Sequence, residues 1–163
     1  MPESSPATAL LYLREEELRQ GFEALFFAYR DLDAEADALL AEHGLARGHH
    51  RAIHFIARAK QTSVTDLQAT LGLTLQSLGR LLRELTERGL VVQRTGPRDR
   101  RQRLLSLTAA GEALEKQLWE ALRSRLARAY RDTGPQAVEG FRRVLAELGQ
   151  RGAERRPSTA RPS

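Results

Sequence analysis

"GPRDRRQRLLSLT", Gly96 to Thr108, sets Arg98, Arg100, Arg101 and Arg103 around a single aspartate, Asp99, behind a glycine-proline pair, then turns to leucines. The run that precedes it, "LVVQR" (Leu90 to Arg94), and its own "RLLSL" (Arg103 to Leu107) are short and β-prone, and they flank the Gly-Pro turn. That pattern predicts an antiparallel hairpin with a strongly basic tip. What stands on either side of the hairpin decides the fold.

Upstream, Ser63 and Asp66 have the spacing of a capping box and open a helix carrying Val64, Leu67 and Leu71, which Gly72 stops. Thr74 is placed to cap the next helix, "LQSLGRLLRELTER", whose Leu78, Leu81, Leu82 and Leu85 make an inward stripe and which Gly89 ends. Helix, tight glycine turn, helix, hairpin is the order of a winged helix-turn-helix. An ordinary helical hairpin within a bundle shares the first three of those features, so the hairpin and its charge must separate the two readings.

Further out, the apolar residues from Leu18 through Phe22, Leu25, Tyr29, Leu32 and Ala36 to Leu39 step by fours and threes and predict one long helix. Phe26, Phe27 and Leu40 require cover on a second side. His43-Gly44-Leu45 breaks the pattern, and "ARGHHRAIHFIARA" predicts a shorter helix with Ile53, Phe55, Ile56 and Ala59 inward. Downstream, Thr108 caps a long helix with Leu114, Leu118, Leu122 and Leu126, and after Gly134-Pro135 a last helix carries Val138, Phe141, Leu145 and Leu148. The fold class expected is mainly α with a small β-hairpin wing: a winged helix-turn-helix domain plus N- and C-terminal helices that carry more apolar surface than a domain of this size can bury alone and are therefore expected as dimerisation helices. Residues 10–150 form its single domain, with 10–46 and 112–150 as dimerisation helices and 47–111 as the DNA-binding part; 1–9 and 151–163 are expected as disordered tails, the second one basic.

Charge is distributed unevenly along this frame. The chain of 163 residues carries a net charge of +5. Residues 80–103 hold eight arginines against Glu84, Glu87 and Asp99, a net of +5, while residues 10–42 hold three arginines against nine acids, a net of −6. Positive charge is gathered on the helix and hairpin that would read a polyanion and withdrawn from the scaffold, the distribution that localises attraction to phosphates. On the helix after Thr74, the side chains away from the leucine stripe are Gln76, Ser77 and Arg80. Amide, hydroxyl and guanidinium donors of this kind reach base edges and phosphates when a helix enters the major groove by its N-terminal end. The plainer alternative has Ser77 only supporting the cap and Arg80 only pairing with Glu84 one turn on.

The stretch from about Val64 to Gly111 resembles the DNA-binding domain of the MarR family of bacterial transcriptional regulators, whose wing has a pattern close to D-P-R-D-R-R followed by L-T-x-x-G. Here those positions read Gly96-Pro97-Arg98-Asp99-Arg100-Arg101 and Leu107-Thr108-Ala109-Ala110-Gly111. "GLARGHHRAIHF" and "LTLQSLGRLLRELTERGLV" are similar to a subgroup with G-x-x-R-x-H-H-R and K-Q-S-L-N-R-x-L runs, from which Leu75 and Gly79 depart, while Gly96 replaces the first aspartate of the wing pattern. The resemblance implies that the wing arginine, Arg101, enters the minor groove, held by Asp99 two residues before it. A carboxylate that fixes a guanidinium before binding would reduce the rotamer entropy lost in a narrow, negative groove. Arg98 and Arg100 then meet phosphates, Arg94 is a further DNA-binding residue, and Thr74 stands at the head of the reading helix.

The partners expected are double-stranded DNA, a second copy of the chain in a homodimer and a small-molecule effector. Two reading helices of a dimer meet successive major grooves about 34 Å apart. The resemblance places effectors in a cleft that Phe26, Tyr29, His50 and His54 would line. No cofactor is expected. His50 and His54 share a helical face with His43 and His49 nearby, yet a structural zinc needs four ligands and the sequence has no cysteine. The same lack removes disulfides and thiol chemistry. No phosphate-binding glycine loop or nucleophile elbow is present, which argues against an enzyme. With no secretory signal and no apolar run approaching the ~20 residues of a membrane helix, a cytoplasmic protein is expected. The alternative function is a winged-helix protein interaction module, which keeps the fold but leaves the wing arginines without a purpose.

Overall fold

The computed structural model describes residues 11–153 of the chain, which divides into two compact units, Met1–Glu35 and Ala36–Ser163. Of the expected tails, 1–9 lies outside the described residues, as does 151–163 beyond its first three positions.

The first unit is a 3-10 turn, Leu11–Leu13, and the helix α1, Glu15–Asp33. Its first turn carries Glu15, Glu16 and Glu17, which favour a helix N-terminus. The single long helix expected to run to Leu39 does not form: α1 ends at Asp33, a 3-10 turn follows at Ala34–Ala36, and a separate short helix, α2, spans Asp37–Glu42. Asp31, Asp33, Glu35 and Asp37 crowd this junction. Aspartate is a weak helix former, and negative charge at a helix C-terminus opposes the dipole, so the regular hydrogen-bond ladder yields there.

In the second unit α2 is followed by α3 (Arg47–Ala59), β1 (Thr62–Ser63), α4 (Val64–Leu71), α5 (Leu75–Glu87), β2 (Val91–Thr95), β3 (Arg103–Leu107) and α6 (Ala109–Ala153). The inward side of α3 is Ala52, Ile53 and Ile56; Phe55, expected inward, is 41% exposed because it stands one residue, about 100°, off Ile56. Leu40, Ile53, Ile56, Leu67, Leu78, Leu85, Val91, Leu105 and Leu118 close one continuous core, each worth about 1.5–3 kcal/mol on full burial.

The N-caps fall where expected, but only half of the capping box at α4 forms, because Asp66 accepts from the Ser63 hydroxyl and not from its backbone amide. Ser63 Oγ accepts from the Asp66 amide at 3.0 Å and donates to Asp66 Oδ2 at 2.7 Å, starting α4. Gly72 ends it in the left-handed region, at φ 64°. The far end of α5 closes with a Schellman pair: Gly89 N–H to Thr86 O at 3.0 Å, and Leu90 N–H to Leu85 O at 3.0 Å. Leu90 is thereby spent on the helix cap, which is why β2 begins at Val91 and not one residue earlier.

The hairpin pairs Val91 with Leu107, Gln93 with Leu105 and Thr95 with Arg103. A third strand, not anticipated from the sequence, completes the sheet in the order β1-β3-β2, pairing Thr62 with Leu105 and Ser63 with Leu104. Two residues are too few to show a period of two, but the cap on α4 holds Ser63 extended and so presents its backbone to β3. Thr108 joins the sheet to α6: its hydroxyl donates to Gly89 O at 2.6 Å and accepts from the Gly111 amide at 3.0 Å, and its own amide reaches Leu90 O at 3.1 Å. Gly111 lies so close to the Leu90 carbonyl that a Cβ there would overlap it. The expected break after α6's first part falls at Gly134, whose φ 81° and ψ 171° leave the helical region just before Pro135.

Candidate nucleic-acid interface

The N-terminal turn of α5 is held by its own cap. Thr74 is extended, at φ −70° and ψ 154°, and its Oγ1 accepts from the Ser77 amide at 3.2 Å. The same hydroxyl donates to Ser77 Oγ at 2.9 Å, so Ser77 does support the cap while keeping its own hydroxyl proton to donate. Gln76 and Arg80 are exposed, and the buried Leu78 between them anchors the turn to the core. The alternative pairing of Arg80 with Glu84 does not form: Glu84 Oε2 lies 2.8 Å from His49 Nε2, and among the described residues no ion pair joins it to Arg80.

At the hairpin tip Arg94, Arg98, Arg100, Arg101 and Arg103 are all exposed, with Asp99 the only acid among them. The Gly96 amide donates to Gln102 O at 2.8 Å and the Gln102 amide to Asp99 O at 3.1 Å, closing the turn on itself. Gly96 is required sterically: a Cβ there would stand 2.8 Å from Asp99 O. Asp99 does not hold the Arg101 guanidinium as expected. Its Oδ1 accepts from the Arg101 backbone amide at 2.8 Å, an Asx-type turn that fixes the direction in which the Arg101 side chain leaves the wing. The short aspartate stem favours the nearest donor, and that donor is the amide two residues on.

Arg88, counted with the basic cluster, is directed elsewhere. Its guanidinium donates to His43 O at 2.8 Å and Gly44 O at 3.1 Å, the carbonyls that end α2. His49, Glu84 and Arg88 thus form a tie between the α2–α3 corner and α5 that the sequence did not disclose. Contacts across 35 to 45 positions leave no local spacing to read.

The four residues expected to line an effector cleft fall in both units. Phe26 and Tyr29 lie on α1 of the first unit with exposed rings. In the second unit His50 is buried and His54 half-buried; His54 Nδ1 lies 3.3 Å from Glu115 Oε1, and its ring centroid lies 5.8 Å from that of Trp119 on α6. Among the described residues no three histidine or carboxylate side chains gather as a metal site, and no helix is long and apolar enough to cross a membrane.

A cap-fixed helix N-terminus beside a basic two-stranded wing is the arrangement on which comparison with known proteins bears. Residues 43–102, from the α2–α3 corner to the end of the wing turn, match the MarR family profile. Over 139 residues the chain is 54% identical to the HTH-type transcriptional regulator PetP of Rhodobacter capsulatus, covering 85% of this chain and 84% of that protein. The chain belongs to the MarR family. It is a helix-turn-helix transcriptional regulator of that family, mostly helical with a small antiparallel sheet. Among solved structures, NadR in complex with 4-hydroxyphenylacetate is 26% identical, with a TM-score of 0.64 over 91% of this chain and 97% of that one. A MarR mutant from E. coli complexed with operator DNA also has a TM-score of 0.64, over 89% and 99% of the two chains; at 18% identity it speaks for the fold alone. The homologues are transcriptional regulators, which points away from an enzyme.

Proposed function

We propose that this MarR-family regulator acts by binding duplex DNA as a homodimer on a pseudo-palindromic site, with the N-terminal end of α5 in the major groove and the wing in the minor groove. The observation that carries it is the pairing, within one packed body, of a cap-fixed helix end bearing Gln76, Ser77 and Arg80 with a wing whose arginines have only Asp99 among them. Gln76 is of the type that pairs with adenine and Arg80 with guanine. Arg101 is assigned to the minor groove, where a narrow, negative channel attracts a guanidinium. Arg94, Arg98 and Arg100 take the phosphates, with Thr74 holding the reading turn and Asp99 holding the wing.

Dimerisation is supported by apolar surface that a single copy leaves open. On α1, Phe22 is 72% exposed, with Leu18, Leu25, Phe26 and Phe27 also open, and on the last part of α6 Val144 and Leu148 are open to a similar degree. Apolar faces of that extent mark an interface, and a second copy covers both. A cytoplasmic location follows from the same role.

An effector site is part of the proposal, in keeping with the aromatic acid in the NadR structure. In the second unit it uses His50 and His54, with Trp119 beside His54.

The test is selection of bound fragments from a random duplex library, followed by affinity against salt. Enrichment and a steep loss of affinity with rising salt are expected, since each phosphate neutralised adds about one to the slope. Arg101→Ala should weaken the enriched duplex about tenfold. No enrichment, or a flat salt response, refutes DNA reading.

A further inference from the structure

The α2–α3 corner meets α5 through polar ties and apolar packing. The Ala46 amide donates to His49 Nδ1 at 3.0 Å, so the ring's proton sits on Nε2, which donates to Glu84 Oε2 at 2.8 Å. One turn further along α5, the Arg88 guanidinium forks onto His43 O and Gly44 O. The fork needs Gly44 as it is: the residue has φ 61°, and a Cβ on it would come within 3.3 Å of Arg88 Nη2. About one turn before Glu84 on α5, Leu81 packs toward Gly48 on the first turn of α3, its Cδ1 at 3.4 Å from where a Cβ on Gly48 would lie.

Positions 76, 80, 84 and 88 are spaced by four, so each lies only about 40° round the helix from the last. The two groups that would read bases and the two that are tied therefore share one side of α5. Leucines on the opposite side resist rolling of the helix only through non-directional contact, whereas hydrogen bonds fix an angle. A roll of about 20° at the side-chain radius of about 5–6 Å would move Gln76 and Arg80 by about 2 Å. That breaks a bidentate base contact, yet a long arginine follows a phosphate through it.

We propose that residues 43–49 form a clamp that sets the rotation of α5, with His49, Glu84 and Arg88 as positioning residues for base recognition. This rests on α5 being the reading helix. The clamp governs the choice of sequence and leaves general affinity for DNA alone.

The test uses the full-length protein and two duplexes: one enriched by the wild type from a random library and one unenriched member of that library. Glu84→Ala and Arg88→Lys should each lose about five- to tenfold on the enriched duplex, less than about twofold on the unenriched one, and keep the salt slope. Glu84→Gln, whose amide oxygen still accepts from Nε2–H, should stay within about twofold of wild type on both. A merely structural role predicts equal losses on the two duplexes, and that result overturns the clamp, as does Gln behaving no better than Ala. Should Glu84→Ala fail to fold, Arg88→Lys decides alone: it keeps the charge and helix propensity of an exposed residue and removes only the fork. Failure of the wild type to enrich any duplex overturns DNA reading and the clamp with it; enrichment with unaffected variants overturns the clamp alone.

Discussion

Asp99 separates two accounts of how the wing presents Arg101. In one, a negative charge holds the guanidinium. In the other, which the structure contains, a carboxylate oxygen accepts the Arg101 amide at 2.8 Å and shapes the turn. Asp99→Asn removes the charge and keeps an acceptor; Asp99→Ala removes both. Because the change in net charge is the same, the electrostatic gain toward DNA cancels between the two variants, and the ratio of their affinities isolates the acceptor. The hydrogen bond is exposed and neutral on its donor side, so its net worth is about 0.5–1 kcal/mol. If the bound wing uses the same turn, Asp99→Ala should bind the enriched duplex about two- to fivefold more weakly than Asp99→Asn. Fluorescence anisotropy at one fixed salt concentration measures it, with an unenriched duplex as the reference. Equal affinities for the Asn and Ala variants, both weaker than wild type, would return the role to the charge and refute the turn-based account.

Gly111→Ala should destabilise the domain by about 1–3 kcal/mol or more, read as a lower urea midpoint at unchanged slope, because its Cβ must displace the Leu90 carbonyl that also receives the Thr108 amide. Gly96→Asp, which recreates the commoner aspartate of the wing pattern, should weaken duplex binding, since its Cβ would stand 2.8 Å from Asp99 O; tighter binding would show that the turn tolerates a side chain. The Arg47 guanidinium grips Asp37 through hydrogen bonds of 2.8 and 2.6 Å and holds its carboxyl below the usual range. That pair contributes stability above the ordinary carboxylate pKa and loses it as pH falls through the depressed value. In Arg47→Met the Asp37 carboxyl, followed by NMR, should titrate at a higher pH than in wild type.

Most of the fold was legible because its signals are local. Ser63, Thr74 and Thr108 accept the amides three residues on, and Gly72 and Gly89 adopt the left-handed conformation their positions require. Those are decisions made within a turn of chain. The candidate site was legible to the same depth: exposure of Gln76, Arg80 and the wing arginines follows from their lying off an apolar stripe or at a hairpin tip. What failed was pairing at a distance or finely balanced choice among near neighbours. The break at Ala34–Ala36 comes from crowded acids that a hydrophobic period does not register, and β1 exists because β3 lies beside it.

By itself, the sequence determined the helix-turn-helix and its hairpin, the caps of those elements, the segregation of charge and the wing motif that marks the family, since each depends on residues within a few positions. Only the tertiary structure decided where the long polar side chains go. Arg88 is spent on the carbonyls of α2 and Glu84 on His49, although the sequence placed both in the same charged run. Directional bonds take the nearest competent partner in space, and for Glu84 and Arg88 that partner is brought near only by folding.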